Sequence, residues 1–176
     1  MSQIELVEKM NKFGQNTWID KLSLIISSSV FLVSIFLTIN ILIIMREPII
    51  GWSICLTMVL AVIIHFLIND FLIKRVLRKV FFKPRPFVVN EKIKTIGARH
   101  NDSTFPSGHM SSISAALIVL FYYYPQTWPI SVVFLILLGL SRLHNGMHYL
   151  LDVISGVFFG LGYAYLAIIV FERIFT

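Results

Sequence analysis

Cysteine and acidic residues are scarce in this chain of 176 residues, and long stretches carry no formal charge at all. The one cysteine, Cys55, lies inside an apolar run, so no internal disulfide can form and the redox compartment cannot be read from it. Asp and Glu number 9 against 15 Lys and Arg. The resulting charge of +6 points to anionic partners, either lipid headgroups or a substrate. Nucleic acid is not expected as a partner, because most of the positive charge sits between apolar runs rather than along one polar face. The five histidines form no spaced ligand set with carboxylates, so neither a metal nor a cofactor is expected. The first twenty residues also lack the basic start and apolar centre of a secretory signal, since Glu5, Glu8, Lys9, Lys12 and Asp20 fall there. The first long apolar run is therefore expected to stay as an anchor. Internal repeats and low-complexity segments are absent.

What the chain does have is apolar length. Hydrophobic residues make up 57% of it and the mean hydropathy is +0.82, which indicates an integral membrane protein. The pattern predicts an all-α, polytopic transmembrane bundle of five to six membrane helices, preceded by an amphipathic amino-terminal helix and forming one domain over residues 1–176. Ile4, Val7, Met10 and Phe13 recur three apart and suit a short helix in the membrane interface. Residues 22–45 contain no charge and are long enough to cross a bilayer as one helix. A second run covers residues 49–73, continues in helical style to Lys83, and is stopped by Pro84 and Pro86. Further spans are expected over residues 107–124, 128–143 and 149–171. The polar segment 84–104 is the only long loop, and loops of that length in short chains tend to be functional or disordered.

Residues 110–140 hold no formal charge and are long enough to cross a membrane and return. Two polar clusters are thereby brought to the same side. The first, Phe105-Pro106-Ser107-Gly108-His109, reads as a helix entry whose backbone N–H groups, Ser107 hydroxyl and dipole form an anion pocket, with Gly108 permitting close approach. The second holds Ser141, Arg142, His148 and Asp152. His148 and Asp152 are four apart, so an aspartate on the same helical face can fix the imidazole tautomer and free the other nitrogen. The Arg142 guanidinium offers planar donors to phosphate oxygens. Arg78 and Arg85 are two helical turns apart and, with Lys79 and Lys83, make a basic rim. Each feature has a structural alternative: a His–Asp pair holding a helix start, an arginine reaching the interface, a serine cap, or a rim that attracts headgroups. Their convergence on one side favours a phosphate site.

These segments resemble the phosphatidic acid phosphatase type 2 superfamily of membrane lipid phosphatases, with signatures K-x6-R-P, P-S-G-H and S-R-x5-H-x3-D. The second matches at Pro106 to His109 and the third at Ser141, Arg142, His148 and Asp152. The first matches at Arg85-Pro86, but Arg78 stands at the lysine position and Lys79 follows it. The resemblance covers about residues 65–171. Within the superfamily the loop resembles that of the bacitracin-resistance type of undecaprenyl pyrophosphate phosphatase, which often has Asp where Gly108 stands. The resemblance implies that His148 attacks phosphorus to give a phosphohistidine, that Asp152 orients it, and that His109 protonates the leaving oxygen and then helps activate water. Arg78 or Lys79, Arg85, Ser107, Gly108 and Arg142 would hold the nonbridging oxygens. His100 and His144 are loop or interface residues, with contact to a second phosphate as the alternative.

The function implied is removal of the terminal phosphate from a lipid phosphate, with undecaprenyl pyrophosphate as the expected substrate. The rivals are a phosphatidylglycerophosphate, phosphatidic acid or lipid A phosphatase, a lipid phosphotransferase, and a small anion or lipid carrier without catalysis. The implied location is a bacterial plasma membrane with the site on the extracytoplasmic face. The nine Lys and Arg of residues 74–99 argue the other way by the positive-inside rule.

Overall fold

The computed structural model describes residues 1–100 and 102–175. Helix α1 (Gln3–Lys12) opens with a capping box in which the Glu5 N–H donates to Ser2 Oγ and the Ser2 N–H to Glu5 Oε2. On its inner side Val7 and Asn11 are buried against α8. The expected first span over residues 22–45 is two helices, α2 (Trp18–Ile26) and α3 (Ser29–Arg46). The break at Ser27 and Ser28 has a physical cause. Ser27 Oγ donates to Ser23 O and accepts from Asn145 Nδ2, while Ser23 Oγ donates to Asn145 Oδ1. The run thus bends where it meets a polar anchor from the far end of the chain.

Pro48, at the first helical position, starts α4 (Pro48–His65), which runs into a π-helical stretch (Phe66–Val76) with bonds such as Leu77 N–H to Leu72 O. Two one-turn helices follow, α5 (Arg78–Phe81) and α6 (Pro86–Val89). Beyond the polar loop come α7 (Gly108–Tyr123), a 3-10 turn (Pro125–Thr127), α8 (Trp128–His144) and α9 (Leu150–Phe175). The protein is an all-helical membrane bundle. Among the described residues, four helical stretches are long and apolar enough to cross a bilayer, Ser29–Arg46, Pro48–Val76, Pro125–His144 and Leu150–Phe175, while α7 is shorter at 16 residues. Val30, Leu37, Ile49, Trp52, Val133 and Phe158 lie exposed on these stretches. Lipid solvates such residues, whereas the backbone of each span satisfies its own hydrogen bonds.

Helices α7 and α9 pack most extensively against each other. A Cβ added at Gly156 would stand 2.6 Å from Met110 Cβ, and one at Gly160 would stand 2.6 Å from both Ser111 O and Ser114 Cβ. Small residues at these two positions, one turn apart, let the backbones meet, which is how membrane helices gain packing where the solvent is itself apolar. Ile54, Met58, Ala61, Ala115, Val119, Ala164 and Ala167 fill the centre between α4, α7 and α9. Val7, Met110, Leu138, Leu143 and Val153 fill a second cluster beneath α1 and α8. The close α7–α9 contact sets the start of α7 against the start of α9, and the Ser107 N–H donates to Asp152 O at 3.1 Å.

Candidate active site

His148 precedes α9 rather than belonging to it, so it and Asp152 do not share a helical face. The Asp152 carboxylate is the side-chain half of a cap: Oδ2 accepts the Tyr149 N–H at 2.8 Å. The same oxygen accepts the Thr104 hydroxyl at 2.8 Å, and Oδ1 pairs with Lys83 Nζ at 2.8 Å. The expected direct bond from imidazole to Asp152 is replaced by a relay. His148 Nδ1 lies 2.8 Å from Thr104 O and 3.0 Å from Thr104 Oγ1. A carbonyl can only accept, so Nδ1 carries the proton and Nε2, which makes no hydrogen bond among the described residues, keeps its lone pair. Burial holds the imidazole well below its ordinary pKa of 6.5, reinforced by the charges of Arg142, Arg85 and Lys74 and opposed by the Thr104 carbonyl. A neutral imidazole with one free nitrogen has the form a nucleophile needs.

Cations surround it. Arg142, in the last turn of α8, is only 7% exposed, and its guanidinium has no hydrogen bond or ion pair among the described residues. A buried ion without a partner costs several kcal/mol, a cost that a bound anion offsets. Arg85 is equally buried: Nη1 donates to Met147 O at 3.1 Å and Nη2 pairs with Asp102. Burial raises the Asp102 pKa, but the Arg85 hydrogen bond and charge, with Lys74, outweigh it and leave the carboxyl below its usual range. Lys74 Nζ stands 3.7 Å from Asp102 Oδ2 and 3.4 Å from Asp70 Oδ1. Ser107 is the fully buried N-cap of α7, and its Oγ has no hydrogen-bond partner among the described residues. His109 follows in the first turn, within electrostatic reach of Arg142, Lys74 and His100.

The structure therefore gathers His148, His109, Arg142, Arg85, Ser107 and Gly108 at one end of the bundle, with Asp152 one residue removed. Arg78 and Lys79 are not in the group. Both are exposed, and the Arg78 guanidinium lies 5.4 Å from the centre of the Phe82 ring. The π-helical stretch ends at Leu77, and the one-turn α5 that follows has no buried residue. Gly108 is not sterically required, since an added Cβ would meet nothing closer than Lys74 Nζ at 3.4 Å. His144 is unavailable to a second phosphate, because Nδ1 bonds Met10 O and Nε2 bonds Asp20 Oδ1. Among the described residues no group of three or more His, Cys, Asp or Glu is placed to hold a metal ion.

Thr104 and Lys74 were not foreseen as participants, and Lys83, read as part of the basic rim, was not foreseen as the partner of Asp152. Thr104 lies two residues before Pro106, and only its conformation reveals the contact. Lys83 had a signal in its place beside Arg85, but its salt bridge to Asp152 spans 69 positions. Lys74 is four residues after Asp70, a pair that reads as ordinary helix-face support.

Residues 49–175 match the family model described as PAP2 superfamily. Over 79 residues the chain is 35% identical to undecaprenyl-diphosphatase BcrC of Bacillus subtilis (strain 168), covering 44% of this chain and 40% of that protein. Over 70 residues it is 36% identical to lipid A 1-phosphatase of Rhizobium johnstonii, covering 40% and 29%. Over 114 residues it is 26% identical to an undecaprenyl-diphosphatase of Sulfolobus acidocaldarius, covering 64% and 53%. The chain thus spans about half or less of the length of these relatives. The crystal structure of Aquifex aeolicus LpxE shares the fold, with a TM-score of 0.65 at 18% identity over 93% of each chain.

Proposed function

The chain belongs to the PAP2 superfamily, and from that premise we propose that it is a membrane lipid phosphatase that removes the terminal phosphate of undecaprenyl diphosphate. The observation that carries this reading is Arg142, a buried guanidinium without a partner, whose charge acts on an imidazole with a free Nε2. Such a pair suits a phosphoryl group, which brings negative oxygens to the first and an electrophilic phosphorus to the second.

In the first step the His148 Nε2 lone pair forms a bond to phosphorus while the bond from phosphorus to the leaving oxygen breaks. His109, in its imidazolium form, donates a proton to that oxygen and is left neutral. Arg142, Arg85, the Ser107 hydroxyl and the backbone N–H groups at the start of α7 hold the nonbridging oxygens. Asp152 acts on His148 through Thr104, keeping the Nδ1 proton directed at the Thr104 carbonyl. In the second step His109 takes a proton from water, the water oxygen bonds to phosphorus, the N–P bond breaks, and free phosphate leaves with His148 neutral again. The site opens on the extracytoplasmic face of a bacterial plasma membrane, and the lipid tail stays in the bilayer.

The match to a lipid A 1-phosphatase supports one competing substrate. Purified protein offered undecaprenyl diphosphate, phosphatidic acid, phosphatidylglycerophosphate and lipid A should turn over the first with the highest kcat/KM. His148→Ala should release no phosphate from any of them, and an acid-labile phosphoryl group trapped on the wild type should vanish in that variant. A phosphorylated second lipid in place of free phosphate would mark a transferase, and no release by the wild type would mark a carrier. Labelling from outside the cell, at a cysteine introduced into residues 84–104, tests the orientation.

A further inference from the structure

The site lacks a counterpart to the first cation of its amino-terminal motif, since Arg78 and Lys79 are exposed and the Arg78 guanidinium lies over the Phe82 ring. The π-helical stretch supplies another. Lys74 has a side chain only 13% exposed, yet its ammonium makes no hydrogen bond among the described residues. Its carboxylate neighbours, Asp70 at 3.4 Å and Asp102 at 3.7 Å, stand beyond the roughly 2.7–2.9 Å of a charge-assisted hydrogen bond. Held only by these two longer ion pairs, the ammonium can still donate to another acceptor.

Its position is set from two sides. A Cβ on Gly108 would come within 3.4 Å of Nζ, so the ammonium lies against the first residue of α7, where N–H groups are unpaired by intrahelical bonds. On the other side it shares one carboxylate with Arg85: Asp102 Oδ1 pairs with the guanidinium and Oδ2 faces Nζ. A carboxylate and two oxygens of a phosphate are similar in span, so an anion that bridges these two cations already has a model in Asp102. Nearly half exposed, Asp102 sits in the loop, whereas Arg85 is buried and the Lys74 side chain is only 13% exposed. The unpaired Arg142 guanidinium is a separate indication that this pocket receives an anion.

We propose that Lys74 binds a nonbridging oxygen of the transferred phosphoryl group, taking the place of Arg78 and Lys79, and that the phosphate displaces Asp102 from between Lys74 and Arg85. The proposal rests on the phosphatase reading for its ligand, though not for its geometry. A π-helical segment suits this task because its wider turn alters which side chains face inward, and such segments recur at functional sites.

The test is equilibrium binding of inorganic phosphate to the purified full chain in detergent, read alongside phosphate release from undecaprenyl diphosphate. Lys74→Met should weaken phosphate binding by about tenfold and raise KM similarly, with a smaller effect on kcat. Lys74→Arg should recover most of the affinity, which a variant that merely misfolds would not show. The double variant Arg78→Met, Lys79→Met should bind phosphate within about twofold of wild type. Unchanged binding in Lys74→Met, or a tenfold loss in the double variant, overturns the proposal. Lys74-dependent phosphate binding without turnover of any lipid phosphate would support the anion site and overturn the phosphatase reading instead.

Discussion

Asp152 is joined to His148 through a single hydroxyl, Thr104 Oγ1, which lies 2.8 Å from the carboxylate and 3.0 Å from Nδ1. The Thr104 backbone carbonyl takes the same imidazole proton. Two roles therefore fall on one residue. Thr104→Val removes the hydroxyl but keeps the carbonyl and should lower kcat on the order of tenfold to a hundredfold, whereas Thr104→Ser should stay near wild type. Steady-state kinetics on the two variants decides it, and equal activity in both would show that the relay is idle.

Acid should affect this protein later than a free imidazole would suggest. His148 is held well below 6.5 by burial and by the facing charges of Arg142, Arg85 and Lys74. As far as His148 is concerned, kcat/KM should stay level as pH falls through 6.5 and decline only lower, where the nucleophile protonates. Stability moves in the same direction. Below about 6.5 the unfolded chain takes up a proton that the folded one refuses, so stability is lost toward acid pH by up to about 1.4 kcal/mol per unit. A pH series of thermal unfolding, compared with His148→Asn, measures that share.

Arg142 is predicted to be a liability without ligand. Replacing it by Met should raise Tm in phosphate-free detergent, because an unpaired buried charge is removed. Phosphate at a hundred times its Kd should stabilise the wild type by about 2.7 kcal/mol and should leave the Arg142→Met variant nearly unmoved.

Asp102 competes for the cations that a phosphate would use. Asp102→Asn should therefore lower KM for lipid phosphate several-fold, by weakening the internal rival while keeping its shape. A raised KM would mean that Asp102 positions Arg85 rather than blocking it.

The crossing of α7 and α9 leaves no room at Gly160. Gly160→Ala should destabilise the protein by about 1–3 kcal/mol, and Gly160→Leu should prevent folding or shift the start of α7. Thermal unfolding of the Ala variant, together with its phosphate affinity, separates lost packing from a displaced site.

The two motif segments and the apolar run between them were legible because they are local: a few fixed residues at helix ends, with an uncharged stretch long enough to bring them together. The rest depends on irregular backbone. The Thr104 contact lies 44 positions from His148, within a loop that has no periodicity to read. The turn at Leu77 follows a π-helical stretch, and the apolar pattern of that stretch reads equally well as α-helix, so the sequence register placed Arg78 and Lys79 near phosphate and left Lys74 outside. The bend at Ser27 is set by Asn145, 118 positions away, and nothing in residues 22–45 announces it.

That bend makes the amino-terminal helices a splint for the turn between α8 and α9. Asn145 finds partners for its side-chain amide in Ser23 and Ser27, and Asn11 Nδ2 donates to His144 O and to Lys94 O. A chain trimmed ahead of α3 would retain every motif residue while loosening the turn that aims His148. Inactivity of such a shortened protein would then be a failure of scaffolding, with the chemistry itself intact.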